Sequence, residues 1–120
     1  MKLQIINTRN NKVIGSNIIL GNTLLLRLIG LIGKKELKED EGILLTPCNS
    51  IHMMFMKIPL DIIFLDSENK IIKVIENIKP WKISPIVLKA KSVLELPINS
   101  IKKNDLQIND KLDIIKINDK

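Results

Sequence analysis

Cys48 and His52 stand four positions apart and are the only cysteine and the only histidine in the chain. A Cys-x-x-x-His pair can hold a metal or activate a thiol, and geometry decides between them. On a helix the spacing puts both side chains on one face. On a strand it separates them by about 13 Å along the axis, too far to share an ion. Pro47-Cys48-Asn49-Ser50 reads as a turn, which leaves room for the thiol to fold back. A zinc site needs three or four ligands, and only Asp and Glu remain to complete one. No metal and no cofactor are therefore expected. A nucleophilic cysteine needs a base in reach and a cation to lower its pKa, for which Lys57 and His52 are the candidates. The plainer expectation is a half-buried thiol of ordinary reactivity.

Arg27 and Asp61 form a second candidate pair. Arginine occurs twice in the chain against 17 lysines. A guanidinium is suited to buried, bidentate pairing with a carboxylate. Asp61 lies between Pro59-Leu60 and the apolar run Ile62-Ile63-Phe64, so its carboxylate is expected to be partly buried and in need of a partner. Glu95, between Leu94 and Leu96, is the alternative carboxylate. Lys57, Trp81 and Ser84 make a third group; a lone Trp most often plugs the edge of a core. Together these residues predict a shallow pocket floored by Arg27, His52 and Asp61, with Met56, Lys57 and Trp81 at its rim and Glu95 nearby.

Those side chains need elements to position them. Residues 3–6 and 12–20 read as strands joined by the asparagine-rich turn 7–11. Asn22 or Thr23 caps a helix over 23–32, whose Leu24, Leu25, Leu28, Ile29 and Ile32 recur at helical spacing until Gly30 and Gly33 end it. Short strands follow at 42–46, 51–56, 62–65, 71–75, 92–96 and 112–117, with a helical turn near 98–103. In the strand at 51–56, His52, Met54 and Met56 share one face and Ile51, Met53 and Phe55 the other. The fold class is α+β, mostly β. Seven or eight short strands with one main helix are most economically arranged as a small, partly closed barrel, which limits exposed edges.

At 120 residues the chain is one domain's worth, 1–120. Its net charge is +6, but the basic residues are scattered and there are no tyrosines, two phenylalanines and one tryptophan. Nucleic-acid binding is not expected without a basic stripe and stacking aromatics. The longest apolar stretch, 18–32, is interrupted by Asn22, Thr23, Arg27 and Gly30. No spanning segment, no targeting segment and no membrane partner are expected, and the location expected is the cytoplasm.

Four motifs, in order, carry a resemblance. They are Gly30-Leu31-Ile32-Gly33-Lys34, Glu41-Gly42-Ile43-Leu44-Leu45, Phe55-Met56-Lys57-Ile58-Pro59-Leu60-Asp61 and Leu94-Glu95-Leu96-Pro97. From about Arg27 to Ile114 the chain resembles the domain-of-unknown-function family numbered 192. The resemblance implies a compact β-rich barrel and brings no reaction with it. Asn99 and Asn109 stand where that family has glycine, which implies left-handed turn positions there. Lys34 stands where it has arginine. The leading functional expectation is a non-enzymatic binding or accessory domain for an unknown small ligand or protein partner. The alternatives are an enzyme using Cys48 or His52 with Asp61, and a protein–protein module using the apolar His/Met face.

Overall fold

The computed structural model describes residues 1–117, the side chains of Leu24 and Leu28 excepted. Asparagine shapes its first corner. Strands β1 (Lys2–Asn7) and β2 (Lys12–Gly21) form an antiparallel hairpin. Between them the Asn7 and Asn10 side chains accept the N–H groups of Arg9 and Lys12, and Asn11 takes a φ of 59°. Asparagine tolerates that left-handed conformation better than other side chains do.

Helix α1 (Leu24–Ile29) follows, capped by Thr23, whose hydroxyl accepts the Leu26 N–H at 3.1 Å. It ends at Gly30, with φ 52°, and so is shorter than the 23–32 expected. Leu25 and Ile29 lie on the predicted apolar stripe, yet both are exposed; the burial falls on Leu31, beyond the helix.

The chain continues through β3 (Glu41–Leu45), β4 (Leu60–Leu65), β5 (Ile71–Ile78), β6 (Ser92–Leu96), α2 (Ser100–Lys103) and β7 (Leu112–Ile117). The seven strands form one sheet in the order β5-β4-β6-β3-β2-β1-β7. Only β2 and β3 run parallel, because α1 carries the chain across between them. The edge strands approach each other at one end. Lys70 and Lys111 make an isolated antiparallel bridge, and the Asn109 N–H donates to the Ile71 carbonyl while the Ile71 N–H donates to that of Asp110. The fold is therefore a partly closed barrel, mostly β, with two short helices. Asp110 locks this seam. Its carboxylate accepts from Arg9 Nε at 2.7 Å, Asn7 Nδ2 at 2.8 Å and the Gln107 N–H at 2.9 Å.

Two apolar clusters lie on opposite faces of the sheet. One draws on all seven strands, with Leu3, Ile18, Leu44, Ile63, Ile71, Leu94 and Leu112 among its members, and fills the barrel. The other lies outside β3, β4 and β6, where Ile43, Leu45, Ile62, Phe64 and Val93 are covered by Leu31, Ile51, Met53 and Met56 from loops. Burial on both faces explains why these central strands read as unbroken apolar runs. At Gly42 in β3 a Cβ would stand 2.5 Å from the Glu95 carbonyl oxygen, so only glycine lets β6 pack this closely.

The expected strand at 51–56 is instead a loop laid over the sheet; its only strand-like pairing is an isolated bridge between His52 and Ile83. Ile51 and Met53 are buried, as the alternation predicts. The chain then turns, with Phe55 at φ 65°, which swings Phe55 out into solvent and Met56 into the core. Period-two burial arises here from a loop pressed onto an apolar surface, with its backbone satisfied by residues 81–87.

Candidate ligand-binding cleft

The site starts from the pleat of β6. Leu94 and Leu96 point into the barrel, so Glu95 points out between Ile43 and Ile62, its lateral partners in β3 and β4. The outer face is covered by loops, and Glu95 is only 5% exposed. Its carboxylate accepts no hydrogen bond from any described residue. Burial alone pushes its pKa from the ordinary 4.5 up to about 7. The carboxyl group faces a cleft of about 330 Å³, within the size range of small-molecule sites.

The cleft lies between the end of α1 and the loop that follows β3. Gly30 brings backbone against its floor; a Cβ there would sit 3.5 Å from Glu95 Oε1. The walls are apolar, with Ile29, Leu31, Leu45, Ile51, Met56 and Ile83. Arg27, Cys48, Asn49, Ser50 and His52 supply the remaining polar chemistry. Arg27 is half-buried and ties α1 to the opposite wall: Nη1 donates to the Pro47 carbonyl at 3.1 Å and Nε to that of Thr23 at 3.4 Å. The Cys48 thiol donates to the Ser50 carbonyl at 3.0 Å. Burial raises its pKa and Glu95 adds to the rise, while Arg27 pulls the other way. A half-buried thiol whose pKa is raised is a poor nucleophile. His52 is exposed, and its Nδ1 accepts the Met54 N–H at 3.3 Å. Among the described residues, no three His, Cys, Asp or Glu side chains gather as metal ligands.

Of the predicted pocket residues, the cleft thus brings together Arg27, His52, Met56 and Glu95, and adds Cys48. Asp61 is elsewhere. It is 1% exposed, and its two oxygens accept the N–H groups of Asn77 at 2.9 Å and Ile101 at 3.0 Å. The second of these caps α2 from a neighbouring strand, a task its own N-cap residue, Asn99, leaves undone. The expected Arg27–Asp61 pair does not form, because each group is satisfied by backbone near at hand. Trp81 is 58% exposed rather than plugging a core edge, and it meets the ring of Phe55 at a centroid distance of 4.9 Å. Lys57 is exposed and outside the cleft. Ser84 is buried as a loop staple; its hydroxyl accepts the Ile51 N–H at 2.8 Å. Sequence reasoning did not find the contribution of Gly30 and Leu31 to the cleft. It includes Glu95 in the pocket but gives the floor to Asp61; the alternation Val93-x-Glu95 on an outward face is the signal that favours Glu95.

A seven-stranded, partly closed barrel with an apolar cleft outside its central strands defines the class. Residues 5–114 match the model of the DUF192 family, described as "Uncharacterized ACR", and the chain belongs to that family. It is 34% identical over 64 residues to a UPF0127 protein of Thermococcus sibiricus, a match covering 53% of this chain and 41% of that one. With a UPF0127 protein of Pyrococcus abyssi it shares 36% identity over 66 residues, covering 55% of this chain and 56% of the other. The match spans about half the length of these curated relatives. A crystal structure of a protein of unknown function from Novosphingobium aromaticivorans has the same fold, with a TM-score of 0.81 at 23% identity over 94% of this chain and 84% of that one.

Proposed function

We propose that the chain is a single, cytoplasmic, non-enzymatic binding domain. Its cleft takes a small apolar molecule carrying an ammonium or other hydrogen-bond donor. One observation carries this reading: Glu95 is only 5% exposed, accepts no hydrogen bond from any described residue, and its carboxylate opens onto the cavity. Native proteins pair their buried carboxylates, and an unpaired one implies a partner from outside. A ligand N–H meeting Glu95 removes the cost of its burial, while the apolar walls take up the rest of the molecule. The enzymatic alternative draws no support from Asp61, whose oxygens are both occupied by backbone.

Hexylamine is a suitable probe, with hexanol and hexanoate as controls. Hexylamine should raise the melting temperature and perturb NMR signals of Leu31, Ile51 and Met56, and hexanoate should do neither. In the Glu95→Leu variant, which preserves the apolar walls, the preference for the amine should vanish. Equal responses to all three probes, or none to any, would overturn the proposal.

A further inference from the structure

Beside the cleft, two loops are stitched together by backbone. The Met53 N–H donates to the Lys82 carbonyl, the Trp81 N–H to that of Met53, the Ser84 N–H to that of Ile51 and the Val87 N–H to that of Asn49. The resulting lip carries large apolar side chains in solvent: Phe55 is 64% exposed, Ile83 70%, Ile86 66% and Leu88 87%. Trp81 lies against Phe55. Five exposed lysines, 57, 79, 82, 89 and 91, share these segments, and no acidic residue occurs in 47–58 or 79–91.

We infer that this lip docks on an anionic lipid surface. Projecting aliphatic tips suit insertion among acyl chains, and a Trp/Phe pair suits the headgroup level. The kind of cation is informative. Protein interfaces are depleted of lysine, whereas lysine clusters are what an anionic leaflet attracts. Unbroken positive charge around apolar tips complements a surface of lipid phosphates and carboxylates. The rings of Phe55 and Trp81 cover each other at 4.9 Å, an arrangement poorly suited to stacking bases. The sequence reading set membranes aside for want of a spanning segment, and among the described residues no helix is long and apolar enough to cross one. Docking from one side needs no such helix. The inference is independent of what the cleft binds.

Trp81 is the only tryptophan in the chain, so its emission reports on the lip directly. The full chain is mixed with phosphatidylcholine vesicles with and without phosphatidylserine, at low and high salt. A blue shift and co-flotation are expected with phosphatidylserine alone, and both should disappear at high salt. Lys82→Glu with Lys89→Glu should weaken binding at least about tenfold. Leu88→Ser should weaken it several-fold without changing charge. Lys73→Glu with Lys116→Glu, on the edge strands, should have little effect. All three variants alter exposed side chains, and unchanged circular dichroism verifies their folding. Absence of binding to phosphatidylserine vesicles would overturn the inference. So would equal weakening by the edge-strand pair, a lipid-free blue shift that grows with protein concentration, or a shift with single-stranded RNA but not with vesicles.

Discussion

Replacing Glu95 with glutamine isolates the energetic consequence of an unpaired buried carboxylate. Glutamine keeps the shape and cannot ionise. In the native protein the carboxyl holds its proton up to about pH 7, whereas in the unfolded chain it releases it near 4.5. Between those values the native state binds more protons than the unfolded state, so stability falls as pH rises, and the loss is complete above pH 7. At 1.36 kcal/mol per pH unit, the displacement from 4.5 to about 7 amounts to about 3 kcal/mol. Glu41 and Asp110 have lowered pKa values and oppose this trend, but only below the ordinary carboxylate range, and both variants carry them. Subtraction of the two profiles therefore leaves Glu95. Denaturant unfolding across pH 4 to 8.5 should show similar stabilities at the acid end. By the alkaline end the glutamine variant should lead by about 3 kcal/mol, or about 10 °C in melting temperature. Parallel profiles would refute the reasoning, because they would mean the charged carboxylate is solvated or paired as well as it is in the unfolded chain.

Asp61→Asn should cost about 2–3 kcal/mol in urea unfolding, since an amide nitrogen would face one of two N–H groups that now find a carboxylate oxygen; a loss below about 0.5 kcal/mol would show the cap on α2 to be dispensable. Asn99 and Asn109 have φ values of 73° and 75°. Glycine at either should leave stability within about 0.5 kcal/mol, and alanine should cost about 1 kcal/mol, measured in the same assay. The Cys48 thiol, raised by burial, should react with iodoacetamide at pH 7 more slowly than free cysteine; faster alkylation would return it to the nucleophile candidates.

What the sequence disclosed follows from what is local. The Thr23 cap, the Gly30 stop, the hairpin turns and the left-handed asparagines are each decided within a few residues, and each is in place. The 51–56 segment misled because alternation records burial and not hydrogen bonding. A loop whose backbone is satisfied by another loop shows the same period as a strand. Arg27 and Asp61 misled for a related reason. Each needed a partner, but main-chain groups at Pro47, Asn77 and Ile101 were as suitable as a side chain and leave no mark in residue types. Glu95 was visible as a carboxylate in an apolar strand. That none of the described residues partners it depends on which loops cover the outer face, which only the folded chain reveals.

The pairing of β1 with β7 has a consequence for synthesis. Asn7 and Asp110, joined across the seam, are 103 positions apart. As the chain leaves the ribosome, β1 can pair with β2 almost at once, but its other edge stays open until the last strand emerges. Until β7 emerges the nascent chain therefore presents a bare β edge, backed by Leu3 and Ile5, to whatever surrounds it. A long wait of this kind favours slow closure and edge-to-edge association among neighbouring nascent chains. Release of β7 is the event that ends the exposure. A stop codon a few residues before β7 would leave that edge uncapped, giving a product bound for aggregates rather than a slightly weakened fold.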